Sequence, residues 1–284
     1  HHQLLPKNCP KFFDIVRKAV THKQLSTPTT AGAMLRLFFH NCMVGGCDTS
    51  ILVTSNTFNK AERDAALECP GVASCADILA VAAHDLIVAV GGPTFDLRLG
   101  RKDSLESKAT DPENQFPLPT MSLSEVIKIF TSKGFSIQEM VALVGAHTIG
   151  LSHFNQFSHR LFNFNKNSEI DPAYNPDYAA GLKKLCQNYT KDPSMSAFND
   201  AITPTKFDNM YYKNLRKGMG LLVTDSAMFD DSRSRPFVDR YADDEKKFFQ
   251  DFARAMEKLS VLQVKTEGKG EVRSRCDSFN TLNN

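Results

Sequence analysis

Residues 33–50, AMLRLFFHNCMVGGCDTS, restrict the fold more than any other stretch of the chain. The stretch opens as an apolar helix and ends as a tight loop of glycine, cysteine and aspartate. Arg36 and His40 are four residues apart, so on a helix they share one face, one turn from each other. A guanidinium and an imidazole at that spacing, backed by Leu35, Leu37, Phe38 and Phe39, sit at the edge of an apolar pocket. The helix runs straight into Cys42 and Cys47, with Asn41, Asp48 and Ser50 supplying oxygens around Gly45 and Gly46. One short stretch thus offers an acid/base pair, a small disulfide loop and a possible cation cage.

With 284 residues, the chain has room for one large domain or for two lobes that share a core. Its 34 basic and 32 acidic residues leave a net charge of +2, which gives no argument for a nucleic acid or an acidic surface as partner. No apolar run approaches the length of a membrane span. Residues 1–10 contain no apolar signal core, which reads as a secretion signal already removed. Seven cysteines without paired C-x-x-C spacing, three of them (Cys9, Cys69 and Cys276) far from the rest, argue against zinc and for disulfides. That places the protein in an oxidising compartment and leaves one cysteine over. Asn188-Tyr189-Thr190 is an acceptor triplet for glycosylation, which suits secretion.

Helical periodicity runs through most of the chain. It predicts helices at 9–23, from Thr27–Thr30 through His40, at 74–90, 122–132, 136–143, 152–162, 177–186, 207–217, 237–241 and 245–262. The 74–90 segment is apolar nearly all round, with Ser74 as cap and Asp77 in the first turn, as expected of a helix at the centre of a fold. Ile51–Ser55 reads as a short β-type run, and Asn199–Asp208 as a loop of carboxylates and threonines. His147 lies in Gly145-Ala146-His147-Thr148-Ile149-Gly150, where small residues allow a flat ligand to approach closely. Helices dominate and strand signals are few, so the class is all-α with minor β content.

Six ordered motifs carry a resemblance. Leu35–Cys42, Val44–Ser50, Ser74-Cys75-Ala76-Asp77, Leu99-Gly100-Arg101-Lys102-Asp103, Val144–Gly150 and Phe207-Asp208-Asn209 with Tyr211-Tyr212 resemble the secretory (class III) plant haem peroxidases, over nearly the whole length from Cys9 to Cys276. The resemblance implies a distal lobe of residues 1–118 plus 243–284, a proximal lobe of residues 119–242, and haem b between them. It also implies two calcium ions and a secreted, monomeric glycoprotein of the cell wall or the vacuole. The implied reaction is reduction of hydrogen peroxide with one-electron oxidation of small phenolic donors, through a ferryl and porphyrin-radical intermediate. A haem-bearing structural or storage glycoprotein that has lost efficient peroxide activation is the competing reading, and an apo calcium-binding wall protein is a third.

Residue by residue, His147 resembles the axial iron ligand, and Asp225 the carboxylate that accepts its other ring N–H and makes it more basic. His40 resembles the distal base and Arg36 the cation that stabilises charge as the O–O bond breaks. Phe39 resembles the wall of the distal pocket, and Pro117 the element beside which aromatic donors sit. Asn41, the carbonyls of Val44 and Gly46, Asp48 and Ser50 resemble a distal calcium site. Thr148, Asp200, Thr203, the carbonyl of Lys206, and Asp208 resemble a proximal one. Asp77 and Arg101 resemble a buried ion pair. The implied bridges are Cys9–Cys69, Cys42–Cys47 and Cys75–Cys276.

Four departures from the family pattern are visible. Phe154 stands where Cys186 would have its partner. Asn41 stands where an aspartate is usual, which removes a charge from the distal calcium site and weakens it. A helix-length stretch of the family, including an asparagine that orients the distal histidine, has no counterpart between Asp64-Ala65 and Cys69-Pro70: either the protein lacks it, which leaves His40 a poorly aimed base, or the sequence skips residues there. Asn199 stands where a phenylalanine usually packs near the axial histidine.

Overall fold

The computed structural model describes residues 9–53, 71–108, 110, 115–187, 192, 194–266 and 268–280. Cys69, the 65–69 junction and Asn188 lie outside these residues, although Cys9 itself is disulfide-bonded. The described residues form ten α-helices and one two-stranded sheet, so the class is all-α. No helix among them is long and apolar enough to cross a membrane. The chain divides into two compact units, residues 1–116 with 256–284, and residues 117–255. The later boundary of these units falls inside the last long helix.

The first unit contains α1 (Phe12–Ser26), α2 (Thr30–Met43) and α3 (Cys75–Ala89). Burial follows the helical period: Phe12, Val16 and Val20 in α1, and Ala31, Met34, Leu35 and Phe38 in α2. Both helices pack on α3, whose residues 75–83 are all buried. Three acceptors hold the start of α3. The Ser74 hydroxyl accepts from the Asp77 amide, and the two carboxylate oxygens of Asp103 accept from the amides of Cys75 and Ala76 at 3.1 and 2.9 Å. An anion on those free N–H groups suits the positive end of the helix. Asp77 then accepts from the Arg101 guanidinium at 2.8 Å, the expected buried ion pair.

The β-type run expected at Ile51–Ser55 is not formed over its described part; Ser50–Leu52 make a 3₁₀ turn. The Asp48 carboxylate accepts from the Ser50 amide at 3.0 Å and curls the chain before an extended segment can begin. Ile51 and Leu52 then pack against the Cys75–Cys276 bridge. The Cys42–Cys47 bridge closes the preceding loop.

The second unit holds α4 (Leu123–Ser132) and α5 (Ile137–Val144), each opened by a capping box, Ser122 with Glu125 and Ser136 with Glu139. They are followed by α6 (Pro176–Leu185), α7 (Met210–Leu215), α8 (Val223–Asp230), α9 (Arg235–Asp243) and α10 (Glu245–Ser260), the last extending past residue 255. The helix expected at 152–162 is absent. There β1 (Leu151–His153) pairs antiparallel with β2 (Ser196–Phe198), and two 3₁₀ turns follow at Phe154–Gln156 and Ser158–Arg160. The reason is Arg160, fully buried, which donates to Asp171 at 2.8 Å and to the carbonyls of Gly220, Leu221 and Leu222. A buried guanidinium must find such acceptors, and doing so overrides the local helical period. Asn199, in place of the usual phenylalanine, accepts from the Ser152 hydroxyl at 2.6 Å and donates to the Ile149 carbonyl at 3.4 Å.

Cys186 is a free, buried thiol. It shares one apolar cluster with Phe154, Phe157, Leu161, Leu182 and Leu221. Burial pushes the thiol up to about 12. Unfolding without reductant should therefore expose one titratable thiol per chain, while the folded protein should resist a thiol reagent at neutral pH; a denatured chain with no titratable thiol would show that Cys186 is bonded elsewhere.

Candidate active site

His147 sits on a 3₁₀ turn, Gly145–Thr148, that continues directly from α5. A side chain at Gly145 would collide with the Tyr212 hydroxyl and the Phe248 ring, so only glycine fits this approach. Tyr212 in turn donates to the Val141 carbonyl at 2.8 Å and packs edge-on or tilted against Tyr211, Tyr241 and Phe248. The turn thus rests on rigid aromatic packing. His147 Nδ1 lies 2.8 Å from Asp225 Oδ1, and Asp225 is fully buried. The same oxygen accepts from the Tyr211 hydroxyl at 2.9 Å, while Oδ2 accepts from the Leu222 amide at 2.8 Å. Burial alone would raise the Asp225 carboxyl. The His147 interaction, the Leu222 amide and the Tyr211 hydroxyl outweigh it and hold the group below its ordinary range. An ionised Asp225 fixes the proton of His147 on Nδ1 and leaves the Nε2 lone pair open. Nε2 has no hydrogen-bond partner among the described residues, and the side chain is 33% exposed. Arg160 secures this geometry from behind by holding residues 220–222 at the start of α8. The sequence motif contains Tyr211 without assigning it a role, and Arg160 has no signal beyond its place among Phe157, Leu161 and Phe162.

In the other unit, α2 carries Arg36 and His40 one turn apart. His40 is half-buried, and its ring stacks on Phe116 at 4.3 Å between centroids and 23° between planes. Phe39 meets the imidazole edge-on at 6.2 Å. Burial, and then the charge of Arg36, lower the His40 pKa to about 4, so the ring is a neutral base at physiological pH. Arg36 is exposed. Phe116 was not anticipated; it precedes Pro117, which is half-buried, and an aromatic residue beside a proline-rich turn is its one sequence signal.

The two expected cation sites differ. At the proximal set, Thr203 donates to Asp200 at 3.2 Å and to Asp208 at 3.1 Å, and Thr148 lies 3.4 Å from Asp208. Burial, with the neighbouring Asp208 charge adding to it, holds the Asp200 carboxyl above its ordinary range. Two buried carboxylates and two hydroxyls converging at that cost suit a hard divalent cation. At the distal set, Asp48 is buried, and its second carboxylate oxygen is paired with the Lys265 ammonium. The Asn41 oxygen accepts from the Thr49 amide at 2.7 Å, while its Nδ2 is buried without a partner. An ammonium and an amide N–H are donors and not cation ligands, so this set does not fit calcium as expected.

The Peroxidase family model matches residues 16–244. The chain belongs to the peroxidase family. It is 52% identical to Peroxidase 65 and 50% identical to Peroxidase 63, both from Arabidopsis thaliana; the matches cover 98% and 96% of this chain and 88% of each relative. Peroxidase 41 of the same plant is 50% identical over 98% of the chain. The match to Peroxidase 65 spans 298 positions, more than the 284 residues here, so that relative carries residues without a counterpart in this chain. The protein is accordingly a peroxidase enzyme, an oxidoreductase stabilised by disulfides, and its family implies haem. The site fits that group: His147 presents an open Nε2 whose other nitrogen is held by an anion, which is the donor chemistry an axial iron ligand requires.

Proposed function

We propose that this peroxidase is a secreted haem b enzyme that reduces hydrogen peroxide and oxidises small phenolic donors in one-electron steps. The observation that carries the reading is the His147–Asp225 pair, 2.8 Å apart around a fully buried carboxylate, with Nε2 left open. His147 would hold the iron, and Asp225 would keep that imidazole electron-rich. Bound haem supplies the iron that takes oxidising equivalents from peroxide and returns them singly to donors. The protein's own part is proton handling and orientation. His40, neutral at pH 7, takes the proton from one peroxide oxygen and returns it to the other, which leaves as water. Arg36 offsets the negative charge that develops on that leaving oxygen. Phe39 and Phe116 keep the imidazole in place, and Pro117 marks where an aromatic donor would bind.

Thr148, Asp200, Thr203, the Lys206 carbonyl and Asp208 would hold a proximal calcium ion, next in sequence to His147. The Cys42–Cys47 and Cys75–Cys276 bridges support an oxidising destination, the cell wall or the vacuole, with Asn188 as the glycan site.

The test is a visible spectrum of the purified protein combined with a donor assay. The expected result is a Soret band and phenol oxidation that requires hydrogen peroxide, with His147→Ala losing both; a protein that takes up no haem overturns the reading. Asp225→Asn should keep the fold but lower activity by about 10- to 100-fold, with a raised iron reduction potential as the accompanying sign of a weaker axial donor. An unchanged potential would argue that Asp225 has only a structural role.

A further inference from the structure

We propose that this chain has exchanged the calcium ion of its distal loop for an ammonium group of its own, that of Lys265. The loop is Cys42–Ser50, where the family resemblance leads one to expect a bound cation. Its charge balance closes without any metal. Within the expected ligand set Asn41 is neutral and Asp48 carries the single negative charge, which the Lys265 ammonium pairs. A calcium ion would add two positive charges against that ammonium, in a place where Asp48 is only 1% exposed and screening is weak.

Four of the oxygens that would ligate a metal already accept hydrogen bonds. Asp48 Oδ1 accepts from the Ser50 amide at 3.0 Å, and Oδ2 accepts from Lys265. Asn41 Oδ1 accepts from the Thr49 amide at 2.7 Å, and the Gly46 carbonyl accepts from the Asp48 amide at 2.8 Å. A flipped Asn41 amide is disfavoured, because Nδ2 would then face the Thr49 N–H, donor against donor.

The backbone delivers the lysine. The Leu262 carbonyl accepts from the Cys47 amide at 3.3 Å, and the Lys265 carbonyl accepts from the Lys102 amide at 2.9 Å. Gly46 has φ +107°, and a Cβ there would collide with the Gln263 carbonyl, so the C-terminal segment lies directly on the loop. The ammonium is held a second time by the Ser104 hydroxyl at 2.9 Å. Close by, the Arg273 guanidinium, 2% exposed, donates to the carbonyls of Asp48 and Thr49 at 3.3 and 3.0 Å. Two cationic side chains of the C-terminal segment therefore do for this loop what a bound cation would do. The proximal set provides the contrast. Lys206 reaches Asp208 only at 3.4 Å and is 65% exposed, an ion pair that water and a metal can displace.

This inference deepens the family reading, from which it takes only the expectation of a cation at the distal loop. The experiment is calcium content by mass spectrometry of the haem-loaded enzyme, after equilibration with calcium and removal of free ions. The Soret absorbance of the same sample reports separately on the peroxidase reading. The expected count is one calcium per chain, falling to none in Asp208→Asn. A count of two, or a single calcium retained in Asp208→Asn, overturns the exchange; a count of none supports it and removes the proximal site instead. The Asn41→Asp, Lys265→Met double variant should gain one calcium over the parent, and a folded double variant that gains none overturns the exchange. Should that variant fail to fold, Lys265→Met alone should show terbium luminescence at the distal loop that the parent lacks, and its absence also overturns the exchange.

Discussion

His40→Ala should slow the reaction with hydrogen peroxide by about two to four orders of magnitude, the usual worth of a positioned acid/base. The expectation rests on the state of the imidazole as well as its place on α2. A histidine at its ordinary value would be partly protonated near pH 6 and could not accept a proton. Burial and the Arg36 charge bring His40 to about 4, so the ring is a free base through the neutral range. The parent rate should therefore hold from neutral pH downward and fall only as pH approaches 4, and the alanine variant should lack that limb. Stability follows the same group. The unfolded chain protonates this histidine near 6.5 and the folded chain near 4, so the unfolded state binds the extra proton between those values. Folded stability is complete above 6.5 and declines as pH falls toward 4, and His40→Ala should flatten that decline. Stopped-flow mixing and denaturant titrations at several pH values provide the checks. A variant within tenfold of the parent rate would remove His40 from the chemistry.

Cys276→Ala should cost about 5 kcal/mol of stability, because the bridge to Cys75 closes a loop of 201 residues. That is a large share of the roughly 5–15 kcal/mol by which a native domain is stable. Opening the Cys42–Cys47 bridge, which closes a loop of only 5, should cost about 2 kcal/mol on the same reasoning. Guanidinium unfolding of the two variants measures the difference. Equal losses would mean that chain entropy does not explain the long bridge.

The parts of the fold that were legible in the sequence are those fixed by near neighbours. Ser74 and Asp77 announce α3, and the apolar run after them announces its depth. Glycine at 145, histidine at 147 and threonine at 148 announce a close approach at the end of α5. The illegible parts are those set by partners far along the chain. Residues 152–162 have a helical period but obey Arg160, whose acceptors lie about sixty residues away. Lys265 looks like any surface lysine until the fold brings it to Asp48, 217 residues earlier. Phe116 is one more aromatic residue until its ring stacks on His40. The Ile51–Ser55 misreading has a different origin: one carboxylate, Asp48, wins against β-branched propensity over a short span.

The long bridge also sets an order of events during synthesis. Cys75 leaves the ribosome while its partner is still 201 codons away. At typical elongation rates that is a wait of roughly 10–40 s. The segment 117–255 is complete before Cys276 exists. For all of that interval the nascent chain carries the Cys75 thiol without its Cys276 partner, with Cys186 emerging as a wrong partner before the right one. Once that segment folds, Cys186 lies buried in the apolar cluster with Phe154 and is out of reach of the final cysteine's partner.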